Sequence, residues 1–173
     1  DYIETGSLIS IKKNTKGIRI PSEETRLTLH PLDYEEFRWA LGDEVTIPML
    51  RDAFERKMSL SDGVVRKLLR DFRLYMLVGG MPQAINSYLE TNNLSVVDAV
   101  KREIIELYAD DFRKIDPTGK MTRMFYAIPG QLNRNASRYQ ISSVIEQGKQ
   151  DRIEELLQDM EDSQVVLFSH HAN

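Results

Sequence analysis

The chain has 173 residues, of which 41% are hydrophobic and 29% are charged, so it can form a buried core as one ordinary domain or two small ones. It contains no cysteine, which excludes disulfides, cysteine-ligated zinc and cysteine nucleophiles and fits a cytoplasmic location. The net charge of −4 argues against a dedicated nucleic-acid-binding protein, and no apolar run is long enough to span a membrane.

The first thirty residues show the alternation of apolar and polar side chains that is typical of short strands. Pro31 follows this region and is expected to end its last strand. The strands are predicted at residues 2–5, 7–11, 18–20 and 26–30.

From Asp33 onward, helical spacing replaces this alternation. Asp33 and Glu36 form a capping-box pair that starts a helix, and Gly42 is placed to end it. Further helices are predicted at about residues 46–56, 62–78, 82–90, 96–114 and 120–128, with Ser95 as the cap of the helix at 96–114. The helix at 62–78 has an apolar stripe with clear helical spacing: Val65, Leu68, Leu69, Phe72 and Met76.

Beyond residue 132 the pattern predicts a short helix from Ser142, a last helix opened by Asp151, and a strand at Val165–Phe168. A helix–helix–strand order is similar to the start of a winged helix. The fold class is therefore predicted to be mainly α-helical, with a few N-terminal β-strands and a winged-helix-like segment at the end.

Three stretches together resemble a family of prokaryotic AAA-type P-loop ATPases that carry a C-terminal domain of unknown function of the DUF4143 type. They are Tyr2–Leu8, Leu29–Phe37 and Gly79–Ala84. The resemblance implies three parts: the end of an α/β ATPase core at 1–42, lid-like and linker helices at 43–132, and the start of the winged-helix-like domain at 133–173.

The two motifs that bind and activate the nucleotide in that family are missing from the chain. It has no G-x-x-x-x-G-K-[ST] loop to cradle phosphates, and no strand ends in the paired acids of a Walker B motif. The resemblance thus implies an internal fragment of a longer ATPase. ATP and magnesium would belong to the parent protein, whereas this chain is expected to hold no cofactor and to be inactive alone.

By this resemblance, Thr5 or Ser7 corresponds to the polar sensor that orients water near the γ-phosphate. The alternative is an ordinary Thr-Gly-Ser turn at the end of a strand. Arg19 or Arg26 could similarly act as an arginine finger, or could be a surface arginine beside a strand.

Arg66, Arg70 and Arg73 lie on one face of the helix at 62–78. In a helical lid such arginines can face the nucleotide. The alternative is a solvated polar face opposite the apolar stripe.

In a winged-helix-like segment, Arg134, Arg138, Lys149 and Arg152 could contact nucleic-acid phosphates. The many acidic residues of the last helix would repel DNA, since phosphate contacts dominate affinity. Protein docking is therefore the alternative that the sequence favours for this segment.

No metal site is predicted, because the three histidines lack metal-ligand spacing. Asp110 and Asp111 point in different directions on a helix and cannot easily share a metal or a proton. We expect them instead to cap the helix or to form salt bridges with Arg113 or Lys114.

Two functions follow from these observations. The first is a piece of an AAA-type ATPase that neither binds nor hydrolyses ATP by itself. The alternative is a non-enzymatic helical module, at about 43–132, that binds a protein partner or self-associates through strand edges at 2–29. DNA binding by the last segment is a weaker third hypothesis.

Overall fold

A computed structural model describes residues 27–133, 138–145 and 150–169 of the chain. These residues form seven α-helices and one short 3₁₀ helix, so the mainly α-helical prediction is confirmed. The helices are α1 Tyr34–Ala40, α2 Thr46–Glu55, α3 Asp62–Val78, α4 Pro82–Thr91, α5 Leu94–Ile115, α6 Lys120–Leu132, the 3₁₀ helix Ile141–Ser143 and α7 Gln150–Asp162. None of the described helices is long and apolar enough to cross a bilayer.

The capping box predicted for the first helix is present. The backbone N–H of Glu36 donates to Asp33 Oδ1 at 2.9 Å, and the backbone N–H of Asp33 donates to Glu36 Oε2 at 2.9 Å. Gly42 follows the helix at φ 77°, a left-handed conformation that favours glycine. Local capping signals therefore fix both ends of α1.

Two predicted strands are wrong where the structure describes them. Residues 27–30 and Val165–Phe168 have no strand geometry. A strand needs a neighbour for its backbone hydrogen bonds, and no strand is found anywhere in the described parts of the chain. Val166 and Phe168 instead pack against a helical core. The helix–helix–strand order predicted for a winged helix therefore has no strand at 165–168. The strands predicted at 2–20 lie outside the described residues.

Two helix ends also differ from the prediction. Asn93, not Ser95, caps α5, because Asn93 Oδ1 accepts a hydrogen bond from the backbone N–H of Ser95 at 2.9 Å. Helix α6 continues through Pro129, whose carbonyl still accepts from the N–H of Asn133 at 3.1 Å. The helix therefore continues although Pro129 has no backbone N–H to donate an intrahelical hydrogen bond.

The chain divides into two compact units. The N-terminal unit is Thr25–Ile104, and the described residues from Ile105 onward belong to the C-terminal unit. In the N-terminal unit, α3 packs against α1 and α4; in the C-terminal unit, α6 packs against α7. The two cores are Phe37, Val78, Ala84, Ile85 and Val97 in the first and Phe112, Ile115, Met121, Met124, Ile145, Leu156 and Met160 in the second. The three-part division predicted above stays a prediction.

A close backbone contact joins the segment before α1 to the segment between α3 and α4. The N–H of Leu32 donates to the carbonyl of Gly80 at 2.7 Å, and the Tyr75 hydroxyl donates to the carbonyl of Leu32 at 2.9 Å. A Cβ atom at position 80 would lie 2.2 Å from the Leu32 carbonyl oxygen. The contact therefore requires glycine at this position.

Candidate functional site

Four residues of α3 form an exposed apolar stripe: Val65, Leu69, Phe72 and Met76, which are 39%, 52%, 42% and 59% exposed. At about 100° per residue, they fall within a sector roughly 60° wide. Of the stripe predicted from the sequence, Leu68 is half-buried, and Phe72 also packs edge-to-face against Tyr34 of α1 with 5.2 Å between the ring centroids. One side of a long amphipathic helix is thus open to solvent.

An ion pair explains why α3 turns its apolar stripe outward. Arg38 of α1 is only 6% exposed, and its Nη1 lies 2.9 Å from Asp71 Oδ2 on α3. On the same side of α3, Tyr75 bonds to Leu32 and Val78 is fully buried. Turning the stripe inward would leave the buried arginine without the Asp71 carboxylate, which is costly.

Asp43 completes this charge network. Its carboxylate accepts hydrogen bonds from the Thr46 hydroxyl at 2.6 Å, from the backbone N–H groups of Thr46 and Val45, and from Arg38. The hydrogen bond from the Thr46 hydroxyl, followed by the one from Arg38, holds the pKa of the Asp43 carboxyl well below its usual range. The network is therefore charged at neutral pH and acts as a structural anchor.

The three arginines predicted to face a nucleotide form a basic border beside the apolar stripe. Arg66, Arg70 and Arg73 are all exposed and lie about 90° around the helix from the stripe. Arg70 Nε is 3.8 Å from Asp71 Oδ1, whereas Arg66 and Arg73 have no ion pair with the residues that the structure describes. The surface thus combines an apolar stripe with positive charge. The nucleotide-facing role stays a prediction.

The other predicted site residues are placed as follows. Arg152 Nη1 is 2.7 Å from Glu155 Oε2, and its Nη2 is 3.9 Å from Asp116 Oδ1, so this arginine is held by acids. Arg138 lines a cavity in the C-terminal unit. Their nucleic-acid contacts stay predictions. The remaining candidates lie outside the described residues: Thr5, Ser7, Arg19, Arg26, Arg134 and Lys149.

The salt bridges predicted for the acidic pair on α5 are confirmed. Asp110 Oδ1 lies 2.6 Å from Arg113 Nη1, and Asp111 Oδ1 lies 2.7 Å from Lys114 Nζ. Within the described part of the chain, no group of three or more metal-ligating side chains could hold an ion.

A cavity of about 420 Å³ opens in the C-terminal unit between α6, α7 and the irregular segments beside them. Sequence reasoning missed it, because the residues at 166–168 were interpreted as a strand. Its lining is mainly apolar and includes Met124, Ile128, Leu157, Met160, Val166 and Phe168. Its volume falls within the range of about 300–1,000 Å³ that is usual for small-molecule sites.

Most polar groups on the cavity wall are occupied by the fold itself. The Tyr139 hydroxyl donates to the Met124 carbonyl at 2.7 Å, and Gln131 Nε2 donates to Ser143 Oγ at 2.8 Å. Arg138 also lines the cavity, is exposed, and has no ion pair with any described residue. As far as the structure describes its lining, the cavity therefore presents apolar walls and the guanidinium of Arg138.

Comparison with known proteins identifies a family. The family described as a domain of unknown function (DUF8612) matches residues 69–173, more than half of the chain. The chain belongs to this family. No curated protein matches the chain, and no solved structure matches it either. The DUF8612 match includes the second half of α3, all of the C-terminal unit and the cavity. It does not bear on the resemblance to AAA-type ATPases, which stays a prediction.

Proposed function

We propose that this DUF8612 chain is a non-enzymatic docking module whose α3 surface binds an amphipathic helix with acidic flanks. The observation that carries the proposal is the exposed apolar stripe of α3. Its residues recur at i, i+4, i+7 and i+11, which is the spacing of anchors between two packed helices. A continuous exposed apolar strip bordered by charge is typical of an interaction site.

The positive charge beside the stripe favours a partner that carries acidic side chains. Arg66, Arg70 and Arg73 border one side. Two acids of α3 lie near them: Asp62 at the start of the helix, and Asp71, whose Oδ1 is 3.8 Å from Arg70 Nε and which also pairs with Arg38. A partner helix with glutamate or aspartate along its flank would pair with this basic border. Such complementarity raises the association rate and fixes the register of the two helices.

The same charge disfavours self-association through this surface. Two α3 helices packed antiparallel across a two-fold axis would place their arginine borders on the same side of the interface. Like charges at flanking positions of paired helices are destabilising. A partner other than a second copy is therefore the better fit for α3. The self-association predicted from the sequence concerns residues 2–29 and stays a prediction.

The test uses a fluorescein-labelled synthetic helix with leucines at i, i+4, i+7 and i+11 and glutamates along both flanks. Fluorescence anisotropy should report saturable binding to the full chain. Leu69→Gln should weaken binding by about tenfold or more, because it removes a central anchor. Leu107→Gln is the matched control, since Leu107 is 63% exposed on α5 in the other unit, and binding should not change.

A second peptide with lysines in place of the glutamates should bind more weakly than the first. Equal binding of the two peptides, or equal effects of Leu69→Gln and Leu107→Gln, would overturn the proposal. Light scattering that shows a dimer lost in Leu69→Gln would assign the surface to a second copy. Binding to anionic vesicles but not to the peptide would assign it to a membrane.

We also propose, as a second candidate function, that the chain is a part of an AAA-type ATPase that does not include the nucleotide-binding motifs. The support is the contact of Leu32 with Gly80, which joins two of the stretches that carry the resemblance. The coding sequence upstream of Asp1 tests this candidate, and a Walker A loop with a Walker B strand is the expected result. Micromolar binding of a fluorescent ATP analogue to this chain alone would contradict it.

A further inference from the structure

The cavity of the C-terminal unit has a ligand chemistry that can be argued from its walls. Its lining includes side chains of α6 and α7, namely Met124, Ile128, Leu157 and Met160, together with Val166 and Phe168 from the segment after α7. Transfer of a hydrocarbon chain from water to such walls is favourable by about fourfold in affinity for each methylene group.

The Arg138 guanidinium accompanies this apolar interior. Arg138 lines the cavity and has no ion pair among the described residues, and none of the described residues of the lining is acidic. The neighbouring polar groups of Gln131 and Tyr139 already bond to Ser143 and to the Met124 carbonyl. The N–H donors of the Arg138 guanidinium could therefore bind an anionic group of a ligand. A carboxylate fits this geometry, because its two oxygens can accept two parallel hydrogen bonds from a guanidinium.

We propose that this cavity binds a small amphipathic carboxylate, with its aliphatic chain among the methionine and leucine side chains and its head group on Arg138. The site lies in the C-terminal unit and does not depend on the docking function proposed for α3. A neutral alcohol of the same length would gain the apolar burial but lose the ionic contact. A quaternary ammonium compound would be repelled by Arg138.

The experiment uses the full chain labelled with ¹³C on the methionine methyl groups and titrated with decanoate, decanol and decyltrimethylammonium below their micelle concentrations. Met124 and Met160 line the cavity, whereas Met76 lies on α3 and serves as an internal control. Decanoate should shift the Met124 and Met160 signals saturably and leave the Met76 signal in place. Affinity should rise about fourfold per methylene from hexanoate to decanoate.

Arg138→Gln should weaken decanoate binding by about tenfold and leave decanol binding unchanged, since a hydrogen bond to a charged group is lost. Arg123→Gln is the matched control, because Arg123 is exposed on α6 but does not line the cavity. Because both arginines are exposed, both variants should keep the wild-type methionine spectrum. No saturable shift with decanoate would overturn the proposal, as would binding that is equal for decanol and unaffected by Arg138→Gln.

Discussion

Gly80 shows how one residue can hold two segments of the N-terminal unit together. A methyl group at this position would lie 2.2 Å from the Leu32 carbonyl oxygen, which is a backbone atom and cannot move aside as the end of a flexible side chain can. Gly80→Ala should therefore lower the free energy of unfolding by about 1–3 kcal/mol, as overpacking does. Urea denaturation followed by circular dichroism measures this change.

Gly63 is the matched control for that substitution. No heavy atom lies within 4 Å of the position that its Cβ would take. It lies in the first turn of α3, where alanine is a better helix former than glycine. Gly63→Ala should leave stability unchanged or raise it by up to about 1 kcal/mol. Equal losses of unfolding free energy in Gly80→Ala and Gly63→Ala would show that the contact with Leu32 is not what requires glycine at position 80.

Asp116 links the stability of the C-terminal unit to pH. Burial raises the pKa of its carboxyl, but hydrogen bonds from the Thr118 hydroxyl and from the backbone N–H groups of Met121 and Thr118 outweigh burial and lower the pKa. Folding therefore favours the charged form. This contribution is present above the ordinary pKa of about 4 and is lost as pH falls through the lower folded pKa.

Asp116→Asn should accordingly cost about 1–3 kcal/mol of unfolding free energy at pH 7, because buried hydrogen bonds to a charge are lost. Its difference from the wild type should shrink as pH falls from about 4 through the lower folded pKa, because the wild-type carboxyl becomes protonated first in the unfolded chain and then in the folded one. Urea denaturation across this pH range measures both effects. Asp110→Asn, at an exposed ion pair, should stay within about 0.5 kcal/mol of the wild type at pH 7, and an equal loss would contradict the account.

At the scale of the element, the orientation of α3 depends on the ion pair between Arg38 and Asp71. Asp71→Asn removes a charged partner of an arginine that is almost fully buried. We expect a loss of about 1–3 kcal/mol, limited by the remaining pair with Asp43. Asp52→Asn, whose pair with Arg56 is exposed, should change stability by less than about 0.5 kcal/mol in the same urea titration. Similar losses in both variants would mean that the pair does not orient α3.

The extent of the helices could be predicted because their signals are local. The Asp33–Glu36 capping box, the glycine after α1 and the breaks around α3 act within a few residues of where they occur. The face that α3 buries could not be predicted in the same way. It depends on Arg38, which is 33 positions before Asp71, and hydrophobic spacing alone favours the stripe that the structure exposes.

The wrong strands have a related cause. The apolar residues at 165–168 have the composition of a strand, but a strand also requires a partner elsewhere in the chain. Val166 and Phe168 contact a helical core instead. The Asn93 cap was missed because Asn93 and Ser95 are both good capping residues, and only the observed hydrogen bond decides between them.

At the scale of the whole molecule, each of the two units carries its own core and its own candidate site. The docking surface was partly visible in the sequence, since both the apolar residues and the arginines of α3 were recognised. The cavity was not, because its walls come from α6, α7 and irregular segments that are separated along the chain. Sequence spacing describes one element at a time, whereas a cavity depends on several.

The apolar stripe of α3 is proposed to be a surface for a partner and not part of the core. Urea denaturation of the double variant Leu69→Gln/Met76→Gln distinguishes the two, with Val78→Gln as the buried reference on the same helix. An exposed stripe should give a loss of unfolding free energy below about 1 kcal/mol for the double variant, against a loss above about 3 kcal/mol for Val78→Gln. A loss in the double variant as large as that of Val78→Gln would show instead that the stripe belongs to the core.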